Sequence, residues 1–143
     1  MSQESSPTPI IVSTKISASI EKVWSCYTEP AHIVKWNFAS DDWESPHAEN
    51  DVKVGGKFKI EMSAKDKSAG FDFEGVYTNV VEKEILEYEI LGGRKVSVKF
   101  QPVTDSVVVV TTFDPEQENS LELQQTGWQA ILDNFKKYVE SQT

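Results

Sequence analysis

Residues 120–141, SLELQQTGWQAILDNFKKYVES, decide the fold of this chain. Trp128, Ile131, Leu132, Phe135, Tyr138 and Val139 recur at three- and four-residue spacing, which puts them on one stripe of an α-helix. Gln129, Asp133, Asn134, Lys136, Lys137 and Glu140 occupy the other face, so the helix is predicted to lie on a core and not to pass through one. Asn119 followed by Glu122 reads as a capping pair at its start. Lys136 and Lys137 stand near its end, where cations suit the helix dipole. A stripe this long needs a broad apolar partner.

The preceding residues supply that partner as strands. Phe58, Ile60 and Met62 alternate with Lys57, Lys59 and Glu61; Phe71, Phe73 and Tyr77 alternate with Asp72, Glu74 and Thr78; Leu86, Tyr88 and Ile90 alternate with Glu87 and Glu89. Val96, Val98 and Phe100 continue the series, and the run 107–113 closes it, with Gly92-Gly93 and residues 102–105 as turns. Upstream, Ile10, Val12, Thr14 and Ile16 alternate with Ile11, Ser13, Lys15 and Ser17, the period of a half-buried strand. The period then changes. Ser19 can cap a short helix in which Ile20, Val23, Trp24 and Tyr27 share a face, and Pro30 opens a second one carrying Ile33, Val34 and Trp36. Residues 37–50 have no clear period and are predicted to form a loop across an opening.

The expected class is therefore α+β: a curved antiparallel sheet of about six strands gripping a long C-terminal helix, with two short helices after the first strand. Residues 1–8 read as a polar, disordered tail and residues 9–143 as one domain. With 143 residues, the chain suits one well-buried core. Fourteen basic against twenty-three acidic residues give a formal charge of -9, which repels phosphate backbones and anionic surfaces and argues against nucleic acid as a partner. The one cysteine, Cys26, cannot form an internal disulfide, and no apolar run is long enough for membrane insertion. The cytoplasm is the simplest compartment.

A twisted sheet around a helix leaves a gap wherever facing side chains fail to meet. Trp128, Phe58, Phe71, Phe73, Tyr77 and Tyr88 can either fill that space as a solid core or line a cavity for a small hydrophobic ligand. The tyrosines lean toward a cavity because each brings a hydroxyl that needs a partner. Trp36 and the loop from Asn37 to Asn50 would form the mouth, with Leu132 on the helix side. Gly127, costly in a helix, implies a close approach or bend beside the cavity, or a loop-to-helix junction.

Chemistry is not announced elsewhere. Gly55-Gly56 precede a strand pattern and lack the Lys-Ser or Lys-Thr of a phosphate loop, so they read as turn or bulge glycines. His47-Ala48-Glu49 has no paired cysteines to complete a zinc deaminase site, and two histidines make a metal site improbable. No serine stands in a pattern that marks a nucleophile with its base, so no catalytic residue and no cofactor is assigned. Asp41, Asp42 and Glu44 form an acidic cluster around Trp43.

The ordered set of Ala18 to Trp24 (ASIEKVW), Thr28-Glu-Pro30 with Trp36, Asp51 to Phe58 (DVKVGGKF), Phe73 to Tyr77 (FEGVY) and Gly127 to Phe135 (GWQAILDNF) resembles the START-like helix-grip (SRPBCC) superfamily. Its branch named after the activator of the heat-shock-protein-90 ATPase is the nearest. The resemblance spans residues 9–141. It implies a curved antiparallel sheet gripping a C-terminal helix, and between them a hydrophobic cavity for lipids, polyketides or other apolar molecules. Lys53 stands where the pattern usually has arginine. Eukaryotic activators carry a further N-terminal domain that helps stimulate the ATPase, so the resemblance implies the fold rather than that activity. Three roles remain open on this basis: a binding protein for a small hydrophobic ligand, a chaperone-interacting module acting through its acidic surface or Trp43, and a cyclase- or hydrolase-like enzyme using the same cavity.

Overall fold

The computed structural model describes residues 8–90 and 92–142; the expected tail therefore lies, apart from Thr8, outside the described residues. In chain order the elements are β1 (Ile10–Ile16), α1 (Ile20–Thr28), α2 (Pro30–Ile33), β2 (Trp43–Asn50), β3 (Lys57–Ala64), β4 (Gly70–Val81), β5 (Ile85–Ile90), β6 (Arg94–Val103), β7 (Ser106–Phe113) and α3 (Leu121–Glu140). Every pairing is antiparallel, in the order β1-β7-β6-β5-β4-β3-β2. The first strand thus joins the last, and the curled sheet wraps its concave side around α3. This is the arrangement that the resemblance implies, a curved antiparallel sheet gripping a C-terminal helix.

The sheet has seven strands among the described residues rather than about six, because residues 43–50 form β2 and not a loop. Its apolar period is broken by a bulge between Glu44 and His47, so the buried positions Ser45 and Ala48 fall three apart. Pro46 and the exposed His47 and Glu49 are tolerated because β2 is an edge strand. β1, β3, β5 and β7 follow their two-residue period, as in β3, where Phe58, Ile60, Met62 and Ala64 are buried and Lys57, Lys59 and Glu61 are exposed, whereas β4 carries a second register shift between Tyr77 and Asn79.

Ser19 caps α1 by accepting from the Lys22 N–H, and Pro30 opens α2. The cap of α3 is Ser120, not the expected pair Asn119 and Glu122. The Ser120 hydroxyl accepts from the Leu123 N–H at 3.0 Å, while the Asn119 side chain donates to Glu116. Phe135 and Val139 are fully buried, and Phe135 meets Tyr27 and Trp36 edge-on. Trp128 stacks on Phe113 of β7 with ring centroids 3.9 Å apart and meets Phe73 of β4 edge-on.

The open edge of β1 is closed by α3. Gln129 Nε2 donates to the Ser13 carbonyl at 3.0 Å, Lys136 Nζ to the Lys15 carbonyl at 2.6 Å, and the Ser17 N–H to Glu140 Oε2 at 2.9 Å. Polar side chains of the helix thus take the ladder positions that a further strand would otherwise find free.

Candidate functional site

On the inner face of β3, Phe58 projects toward β4 and fills the room left at Gly75, where a Cβ would come within 2.6 Å of the ring. Around Phe58 gather Phe73, Tyr77 and Tyr88, with ring centroids 5.6, 5.4 and 4.8 Å away. Tyr77 donates its hydroxyl proton to Asn50 Oδ1 at 2.6 Å, and Asn50 Nδ2 donates to the Thr28 carbonyl at 2.7 Å, tying β4, β2 and α1 together. Trp36 is buried, and its indole N–H donates to the Cys26 carbonyl at 2.9 Å.

Above this layer, between the sheet and α3, lies a cavity of about 310 Å³. Six of the eight residues expected from sequence border it: Trp36, Phe71, Phe73, Tyr88, Trp128 and Leu132. Phe58 and Tyr77 do not. They border a smaller space of about 40 Å³ beneath, which shares Trp36, Phe73 and Tyr88 with the larger one. Phe71, the second residue of β4, is 54% exposed, so it borders the cavity from its open side.

The helix side of the cavity is built by two rows at four-residue spacing, Leu123, Gly127 and Ile131 beside Gln124, Trp128 and Leu132. Gly127 interrupts the first row. A Cβ added there would meet nothing within 4 Å, so the glycine marks neither a close approach nor a helix junction; it leaves room. The Gln124 side chain fixes the chain entering the helix: its Oε1 accepts from the Glu116 N–H at 2.8 Å, and its Nε2 donates to the Glu116 and Asn119 backbone carbonyls at 3.0 and 2.9 Å.

Tyr27 and Tyr88 both border the cavity, and among the described residues neither hydroxyl has a hydrogen-bond partner. Burial pushes both phenols well above their ordinary pKa, so they stay protonated and able to donate. Burial likewise pushes Tyr77 up to about 12, against the opposing hydrogen bond to Asn50. Tyr27 was missed as a site residue because its place on the apolar face of α1 reads as core. Arg94 and Glu116 were missed because they flank turns, where charged residues normally face water. The Cys26 thiol is buried and pushed up by that burial, which fits an inert side chain.

The expected mouth is redrawn. Of residues 37–50 only Asn37 borders the cavity; its exposed lining residues include Phe71, Asn119 and Leu123, with Arg94 and Glu116 half-buried beside them. Trp43 opens β2 and leans on Phe71, with ring centroids 6.1 Å apart, while Asp41 and Asp42 stay exposed in the turn before it. No helix among the described residues is long and apolar enough to cross a membrane.

Comparison with solved structures gives close matches over nearly the whole chain. The solution structure of the AHSA1-like protein from Aeromonas hydrophila is 42% identical, covers 93% of this chain and 94% of that one, and superposes with a TM-score of 0.86. That of Chr148 from Cytophaga hutchinsonii is 50% identical, covers 94% and 93%, and has a TM-score of 0.81. The crystal structure of CV1439 from Chromobacterium violaceum, 23% identical over 94% and 99% of the two chains, shares the fold at a TM-score of 0.81. No protein of curated function matches. The model of the family described as "Activator of Hsp90 ATPase homolog 1-like protein" matches residues 17–140, and with the Aeromonas hydrophila and Cytophaga hutchinsonii relatives it shows that the chain belongs to that family.

Proposed function

We propose that this protein, acting as one domain over residues 9–143, binds a small, mainly apolar molecule in the space between its sheet and α3. The family and the fold support a binding protein. The observation that carries the reading is the cavity of about 310 Å³ bordered by Phe73, Trp128 and Leu132, with two tyrosine hydroxyls beside it, Tyr27 and Tyr88, that have no hydrogen-bond partner among the described residues. Apolar burial, at roughly 25 cal/mol per Å², would supply the affinity, and the phenols would orient an acceptor atom of the ligand. The volume is at the low end for small-molecule sites, which favours a compact ligand over a long-chain lipid.

The test is a melting-temperature survey of the purified protein against lipids, aromatic polyketides and smaller aromatic and aliphatic compounds. A ligand present at one hundred times its Kd would stabilise the fold by about 2.7 kcal/mol, a shift of several degrees. No shift across a broad panel would leave the space as a packing gap.

A further inference from the structure

We infer that the cavity selects ligands bearing a carboxylate, which Arg94 holds at the rim while the apolar body lies against Trp128 and Phe73. This rests on the binding role proposed above and adds the chemistry of the ligand's polar end.

Arg94 is the only arginine of the chain; the other thirteen basic residues are lysines. Among the described residues it is also the only basic one bordering the cavity. The turn at Gly92-Gly93 sets it at the first position of β6, half-buried. The one hydrogen bond of its side chain among the described residues is a long one, 3.4 Å from Nη1 to the Asp114 carbonyl, and no carboxylate forms an ion pair with it there. Among the described residues most of the guanidinium fork is therefore uncommitted, and a planar fork at the edge of an apolar space matches a carboxylate in bidentate fashion.

The neighbouring Glu116 does not take that place. Its carboxylate is turned into its own chain, accepting from the Glu118 N–H at 2.9 Å, the Asn119 N–H at 2.7 Å and Asn119 Nδ2 at 2.9 Å. Those Asn119 donors, chiefly, hold it below the usual carboxylate range, and the charge of Arg94 adds to the effect. One cation facing one fixed anion, in a protein of charge -9, suits a monoanion better than a doubly charged phosphate.

The experiment compares matched acids and alcohols by calorimetric titration of the full chain near neutral pH: decanoate against decanol, and naphthylacetate against naphthylethanol. The acid of each pair is expected to bind about tenfold or more tightly than its alcohol, as a charge-assisted pair would give. Arg94→Gln collapses that ratio, and Arg94→Lys, which keeps the charge without the fork, lowers it. Equal affinity of acid and alcohol for the wild type overturns the inference and leaves apolar binding standing; binding of neither overturns both. A ratio that survives unchanged in Arg94→Gln assigns the preference elsewhere and overturns the role of Arg94. Should Arg94→Gln fail to fold, an unchanged ratio in Arg94→Lys does the same.

Discussion

Gly75 and Gly127 have opposite surroundings, and their alanine variants should move stability in opposite directions. A Cβ at Gly75 would come within 2.6 Å of the Phe58 ring and 2.8 Å of the Glu89 carbonyl, so Gly75→Ala should destabilise by about 1–3 kcal/mol in denaturant unfolding. At Gly127 nothing lies within 4 Å, and Gly127→Ala should stabilise α3 by up to about 1 kcal/mol. The tyrosines make a second prediction at this scale. Tyr27, Tyr77, Tyr88 and Tyr138 are all raised by burial. The folded state holds these protons more tightly than the unfolded chain does. The resulting stabilisation is whole below the ordinary tyrosine value, near 10, and is lost as pH rises through the folded values, about 12 for Tyr77. Ultraviolet titration should therefore show little tyrosinate near pH 10 while the protein is folded, and its melting temperature should fall above that pH. Aromatic identity was readable in the sequence at Phe73, Tyr88 and Trp128; the roles of Gly75 and Arg94 were not, because each depends on what another strand or loop brings opposite it.

The helix α3 was readable almost to the residue, since its stripe is long and its period unambiguous. Its cap was misplaced by one position because Asn119 and Ser120 are both good capping residues, and only the loop held by Gln124 and Glu116 decides between them. Ser120→Ala should cost about 1 kcal/mol of stability, whereas Asn119→Ala should leave the helix cap intact; thermal melts of the two variants check this. β2 escaped because a bulge, a proline and a polar outer face erase the two-residue period on which a strand is recognised. The closing of the β1 edge by Gln129, Lys136 and Glu140 was also invisible, since these residues read simply as the wet face of the helix.

Across the whole molecule, the antiparallel sheet, the two short helices and the gripped C-terminal helix follow from hydrophobic period and chain order alone. The existence of a cavity does not, because six or seven aromatic rings can either fill a space or border it, and the difference is a matter of ångströms. What tips the balance here is the curl of the sheet together with the missing side chain at Gly127, halfway between Leu123 and Ile131 on the helix. Completing that row should close the space without strain. The most direct test of the binding site is thus a calorimetric titration of naphthylethanol or decanol into the wild type and into Gly127→Leu. Binding to the wild type that is lost in a Gly127→Leu variant melting no lower than the wild type is the predicted result; undiminished affinity in that variant, or none in the wild type, would contradict the account.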